Sequence, residues 1–339
     1  ANTGDAVEIS RLSEFGTVIL TDETGRQRVE GRFDEEDITN ALVKLASAET
    51  HTVCWAGDHG ERSFDDDGPR GMANVVNRLV DQNYEIQPLR GMTGASLRSC
   101  DVLVVASPLT DWLPSEREAL AVYLAEGGAA LVLFDAMIEA PEVPELRAEM
   151  ARYGLDVGQD ILVEQSPANQ GYGPQETVLG LYGPADFVHH PITDSLVGRV
   201  GLDLARSVAV GEGSEGLLAQ ELIRSSPESW AETDPDLQGG AVPVPDPTER
   251  VGRVPIMAVV EVADPTVLDV AWDVAEDTDA PYVVAPLSPV PADFAPSPGG
   301  RLVVIGDASF ADNTNGSLES NGGLFLNTIA WLVGESDQL

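Results

Sequence analysis

Between residues 52 and 134 the chain repeats one pattern, an apolar strand followed by a polar turn or an amphipathic helix. Residues 52–56 (TVCWA) open it, and 68–84 follow as a helix with Val75, Val76, Leu79 and Val80 turned inward. Residues 85–89 read as a second strand, 101–106 (DVLVVA) as a third and 130–134 (ALVLF) as a fourth. Residues 90–100 leave room for a small turn or one helical turn between the second and third strands. The helix at 115–126 begins on a capping box, with Ser115 as N-cap and Glu118 three residues on, and stops at Gly127-Gly128. Strands without polar alternation are buried on both faces, which is the mark of a parallel sheet covered by helices on each side. The pattern predicts an α/β fold with the order second–first–third–fourth and residues 302–305 (LVVI) alongside.

The regularity fades after a helix at 142–153. Residues 160–164, 178–182, 205–210, 217–223 and 255–262 read as strands with no long helices between them, hence as added antiparallel strands or a sheet extension. Proline-rich segments at 234–248 and 286–298 read as loops. The closing helix carries Leu324, Phe325, Ile329 and Leu332 at helical spacing, with Leu326, Trp331 and Val333 widening its apolar face and Gly334 as its stop. At the other end, residues 6–31 read as strands around a turn at Asp22-Glu23-Thr24-Gly25, and 34–46 as a helix. The organisation is an N-terminal β-rich extension with its helix (1–47) and one elaborated α/β domain (48–335).

Charge limits the partners. The chain has 57 acidic against 19 basic residues, a formal net charge of −38, and Lys44 is its only lysine. A field of that sign repels nucleic-acid phosphates and anionic headgroups, so nucleic acid is excluded as a partner. The acids are spread along the chain, as expected of a solvated, salt-adapted surface whose self-repulsion is screened by salt. Cys54 and Cys100 are too few for a disulfide framework and lack zinc spacing; buried thiols are expected, with a single bridge left open for an oxidising compartment. No run of 18 apolar residues occurs.

Candidate chemistry centres on one loop. Asp58, His59 and Glu61 follow the first strand of the sheet, and Ser107, Asp111 and Trp112 follow the third. Ligands of open α/β sheets sit beyond the carboxyl ends of the strands, where strand order reverses. A histidine with two carboxylates suits a divalent metal or acid–base work, and suits equally a loop whose polar groups cap a helix and bond one another. Asp65-Asp66-Asp67-Gly68 reads as the acidic approach to a helix. Asp312 to Gly316 fails the calcium-loop pattern and reads as a polar loop, and His189-His190 point to opposite faces. There is no GxSxG and no phosphate-binding glycine loop with its lysine. After the fourth strand, where an amidotransferase-like fold carries its nucleophile, the chain reads Asp135-Ala136-Met137. No catalytic residue, metal ligand or cofactor is expected.

Several segments occur together and in order: Ile38 to Leu45, Trp55 to Glu61, His190-Pro191-Ile192-Thr193, Ala205-Arg206-Ser207, Ser229-Trp230-Ala231-Glu232, Gly306-Asp307-Ala308-Ser309-Phe310 and Asn321 to Leu332 (NGGLFLNTIAWL). In this order they resemble the soluble domain of GldG-type proteins, auxiliary components of an uncharacterised ABC transport system linked to gliding motility. The resemblance implies a flavodoxin-like or amidotransferase-like fold without the catalytic cysteine, with relatives in intraflagellar-transport proteins. It further implies exposure on the periplasmic side of the inner membrane, anchoring through segments outside this chain, and ABC permease and ATPase partners. It names no cargo and no catalytic residue. Asp307 and Phe310 complete the ligand-binding set begun by Asp58, His59, Glu61, Ser107, Asp111 and Trp112. Two other classes stand beside this binding or scaffold role. One is a metal-dependent hydrolase using the Asp58–Glu61 loop. The other is a carbohydrate- or cell-wall-binding module with a groove of Trp55, Trp112 and Phe310.

Overall fold

The computed structural model describes residues 50–135, 142–171, 178–211, 215–233, 244–268, 270 and 299–335, with strands at 8–11, 18–21 and 26–29. These three strands, β1 (Glu8–Arg11), β2 (Val18–Thr21) and β3 (Arg26–Val29), pair antiparallel in chain order. The turn expected at 22–25, the helix at 34–46 and the loop at 286–298 lie outside the described residues.

The main domain runs β4 (Thr52–Ala56), α1 (Ala73–Val80), β5 (Glu85–Leu89), α2 (Gly94–Leu97), β6 (Val102–Ala106), α3 (Pro114–Ala125), β7 (Ala129–Leu133) and α4 (Pro144–Arg152). Next come β8 (Leu155–Val157), β9 (Ile161–Val163), β10 (Leu179–Tyr182), α5 (Pro191–Asp194), β11 (Val200–Asp203), β12 (Val208–Val210), β13 (Leu217–Arg224) and β14 (Trp230–Glu232). β15 (Pro255–Val262), β16 (Gly300–Ile305) and α6 (Asn321–Leu332) complete it.

Among the described residues the central sheet has seven strands, in the order β13-β15-β16-β7-β6-β4-β5. Its β5-β4-β6-β7-β16 portion is parallel throughout, in the order the sequence predicts. β15 and β13 extend it antiparallel. Side chains alternate across a strand, so each apolar strand feeds two cores. Val53, Trp55, Val104, Leu131 and Val303 face α1 and α6. Cys54, Leu103, Val132 and Val304 face α2, α3 and α4. The closing helix is core, with Phe325 and Ile329 fully buried and Gly334 at φ +88° ending it.

The structure corrects four local readings. α1 starts at Ala73, five residues later than expected, because Met72 N–H bonds Ser63 C=O and Gly71 N–H bonds Gly68 C=O, keeping 68–72 in a turn. Val80, on the outer side of that helix, is exposed. The cap of α3 is Leu113 with Pro114 at the first helical position, and the Glu116 carboxylate accepts the Leu113 N–H, so the Ser115–Glu118 box is not formed. Cys54 and Cys100 are not free thiols. They form a disulfide across 46 residues, tying β4 to the turn before β6. β8, β11 and β14 are too short to show any periodicity in the sequence.

Candidate functional site

The parallel strands all end at one edge, and their continuations bring charges from distant parts of the chain together. Beyond β4, Arg62 donates to Ala106 C=O from its backbone. Its guanidinium, almost without solvent exposure, grips Asp135 after β7 through Nε (3.1 Å) and Nη2 (2.7 Å) and Asp312 through Nη1 (3.1 Å). Burial opposes the Arg62 charge, but Asp135 and Asp312 outweigh it and hold its pKa above the ordinary arginine value. Arg70, mostly exposed, reaches Asp135 Oδ2 at 3.4 Å from outside. The second Asp135 oxygen accepts Ala308 N–H, and Asp312 Oδ1 accepts Thr314 and Asn315 N–H.

Asp307, at the end of β16, stands beside this cluster. It accepts Asp203 N–H at Oδ2 (2.8 Å) and Ser309 N–H at Oδ1 (2.6 Å). Burial, reinforced by the negative charge of Asp135, pushes its pKa up to about 8. Arg206 anchors the assembly from below, its Nε donating to Asp135 C=O at 2.5 Å and its N–H to Gly306 C=O at 2.8 Å. Residue 306 must be glycine, since a Cβ there would lie 2.1 Å from the Arg206 carbonyl oxygen. Arg62, Arg70, Asp135, Asp307, Ser309 and Asp312 line a cleft of about 280 Å³.

One strand along, at the switch point between β4 and β6, His59 is buried between two carboxylates. Its Nε2 is 3.1 Å from Glu116 Oε2, and its Nδ1 is 3.4 Å from Glu61 Oε1, a close approach without hydrogen-bond geometry. The other Glu61 oxygen accepts the His59 N–H at 2.8 Å, and the Trp112 ring lies 6.3 Å from the imidazole. The His59 carbonyl accepts Leu109 and Thr110 N–H, joining the two loops. Ser107 follows β6 at φ +54°, and both its Oγ and Trp112 Nε1 are buried without a hydrogen-bond partner among the described residues.

The eight residues expected to bind a ligand therefore separate. His59, Glu61 and Trp112 meet, and Ser107 sits on the same pair of loops. Asp58 turns away to accept Gly91 N–H, so it does not share a centre with His59. Asp111 accepts the Glu145 and Leu146 N–H groups, acting as a remote cap on the first turn of α4. Asp307 belongs to the Arg62 cluster. Phe310 is fully buried core, and Trp55 and Trp112 are buried as well, so no exposed aromatic groove is formed by the three. His189 pairs outside with Asp194, while His190 caps α5 and meets Trp331 edge-on at 5.0 Å. Burial lowers the His190 pKa to about 4.

Arg62, Arg70, Asp312 and Glu116 escape a reading by motif. One signal was available: in a chain this poor in cations, an arginine directly after the loop of the first strand marks a place where carboxylates must be neutralised. Among the described residues no three or more His, Cys, Asp or Glu side chains converge as metal ligands. Both His59 nitrogens face carboxylates, which leaves neither directed at Ser107 as a base.

Comparison with solved structures gives the mmIFT52 N-terminal domain, at 16% identity and TM-score 0.54, covering 83% of this chain and 97% of that one. At this identity the likeness shows the fold. A putative ThuA-like protein from Parabacteroides merdae aligns at TM-score 0.41 and 11% identity, over 85% of this chain and 91% of that one. No curated protein sequence matches the chain. Residues 50–328, from the first strand of the sheet into the closing helix, match the family model described as an ABC-type uncharacterized transport system, and the chain belongs to that family of transport auxiliaries.

Proposed function

We propose that this domain is a non-catalytic binding or scaffold component of its ABC transport system. In this reading it is held at the periplasmic face of the inner membrane by segments outside this chain, and works with the permease and the ATPase. The family match over residues 50–328 carries the reading. The strand-end chemistry supports it. Where a nucleophile would stand after β7, Asp135 has both carboxylate oxygens occupied by Arg62 and Ala308 N–H. The Cys54–Cys100 disulfide supports maturation in an oxidising compartment, since such bridges rarely persist in a reducing cytosol. The motif order shared with GldG-type proteins extends the proposal to gliding-motility-type systems.

The decisive experiment is affinity purification of the tagged full-length protein from native membranes. Co-purification of an ABC ATPase and permease supports the reading, and their absence under cross-linking overturns it. Thiol labelling in intact cells tests the compartment: Cys54 and Cys100 should resist modification until a reductant is added. Screens for amidase, esterase, phosphatase and glycosidase turnover, with and without divalent metals, should be blank. Turnover abolished by His59→Ala would replace the scaffold with a hydrolase.

A further inference from the structure

A second, larger cleft lies away from the strand ends, on the α1 and α6 side of the sheet. It measures about 750 Å³, within the range of small-ligand sites. Its composition departs from that of the chain as a whole. In a protein of 57 acidic residues, the only carboxylate lining it among the described residues is Glu319, and that one is committed, accepting the Arg199 backbone N–H (2.9 Å), Nε (3.3 Å) and Nη2 (2.9 Å). The remaining polar lining consists of Arg78 and of uncharged amides and hydroxyls, among them Asn77, Ser317 and Asn327.

The walls are held in place before any ligand arrives. Asn327 Nδ2 is pinned to Ile192 C=O (3.0 Å) and Ser195 Oγ (2.8 Å), which leaves its Oδ1 as an open acceptor among the described residues. Gly198 N–H bonds Ser320 Oγ at 3.1 Å, and Glu319 is kept at φ +40°, a strained position for a non-glycine residue. Gly322 lets the Arg78 guanidinium lie flat against the helix: a Cβ there would come within 1.9 Å of Arg78 Nη1 and 2.7 Å of Gly316 C=O. The side chains of Asn77 and Ser317 are exposed and make no hydrogen bond to described residues. Val197, almost fully exposed, forms an apolar lip.

Amides and hydroxyls both donate and accept, and so do the hydroxyls of a sugar. With Glu319 neutralised by Arg199 and the Arg78 guanidinium already engaged within the protein, a cleft that offers both senses of hydrogen bond complements a neutral polyol better than an ion. We propose that the α1–α6 cleft binds an uncharged polyhydroxylated ligand, a short neutral glycan. This site is separate from the Arg62 cleft and does not depend on the transport reading.

The purified domain would be screened on an array of neutral and acidic oligosaccharides, followed by calorimetry on a neutral hit. Binding should change less than about twofold between dilute and molar NaCl, because no ion pair is screened. Asn77→Asp and Ser317→Asp, both on exposed side chains, should each weaken it by about tenfold or more with unchanged melting curves. Arg70→Gln, at the strand-end cleft, should leave it unaltered. The proposal is overturned by a blank array, by binding of sulfated or phosphorylated glycans alone, or by a steep loss of affinity with salt. Loss of binding in Arg70→Gln, or indifference to both aspartate substitutions, overturns it equally. None of these outcomes bears on whether the full-length protein co-purifies with an ATPase and permease.

Discussion

Two charged clusters stand side by side on the carboxyl edge of the sheet, and they are built differently. Around Arg62, each oxygen of Asp135, Asp307 and Asp312 accepts a hydrogen bond from a guanidinium or a backbone N–H. Around His59, the histidine Nδ1, one Glu61 oxygen, Ser107 Oγ and Trp112 Nε1 are buried without a hydrogen bond among the described residues, whereas in the Arg62 cleft only Ser309 Oγ is. Burying polar groups is tolerable only when they are paired, and unpaired ones mark places where something other than stability has shaped the site. The Arg62 cluster is therefore a lock that fastens the ends of β4, β7 and β16 to the 307–315 segment. The switch-point loops around His59 retain spare bonding capacity. Strand-end position alone, which singled out His59 in the sequence, does not distinguish a lock from a site.

Substitutions at the two clusters should separate them. The largest effect is expected from Arg62→Met, which strands Asp135 and Asp312 in a buried setting and should cost about 3–5 kcal/mol in urea unfolding. A loss below about 1 kcal/mol would show that water reaches the cluster and that it is no lock. His59→Gln should cost less, about 1–3 kcal/mol, since the glutamine amide can still donate to the buried Glu116 carboxylate and only the imidazole contact is lost. Equal losses at the two positions would erase the contrast.

The pH dependence of Asp307 gives a finer test. Its folded pKa of about 8 lies above the unfolded value, so its contribution to stability is full below about pH 4 and is lost as pH rises towards 8. Asp307→Asn stays neutral throughout but forfeits one of two accepted N–H bonds. The variant should be the less stable near pH 5, and the gap should narrow by about pH 9. A gap constant over that range would mean that Asp307 does not titrate there. The smallest effect on the clusters should come from salt. The melting temperature of the whole domain should rise between dilute buffer and about molar NaCl as the −38 surface is screened, while the Arg62–Asp312 coupling in a double-mutant cycle stays constant. A coupling that fades with salt would place that pair in solvent.

The sequence by itself determined the frame. Apolar strands of five residues at 52–56, 102–106 and 129–133 leave no polar face for solvent, so the parallel sheet and its strand order follow from local pattern and short connections. The closing helix was legible for the same reason, since its apolar residues recur at helical spacing over three turns. The start of α1 and the cap of α3 were not, because they depend on which distant carbonyl or carboxylate reaches a backbone N–H. Nor was the Cys54–Cys100 bridge, which requires β4 and the turn before β6 to be neighbours in space. The sites lay furthest from view. Arg62 and Asp312 are 250 positions apart, and neither carries a motif. Glu319 reads as one acid among many until Arg199 neutralises it. Backbone pattern is written locally in the chain, whereas the pairing of charges, and the cleft left free of them, exist only once remote segments have been brought together.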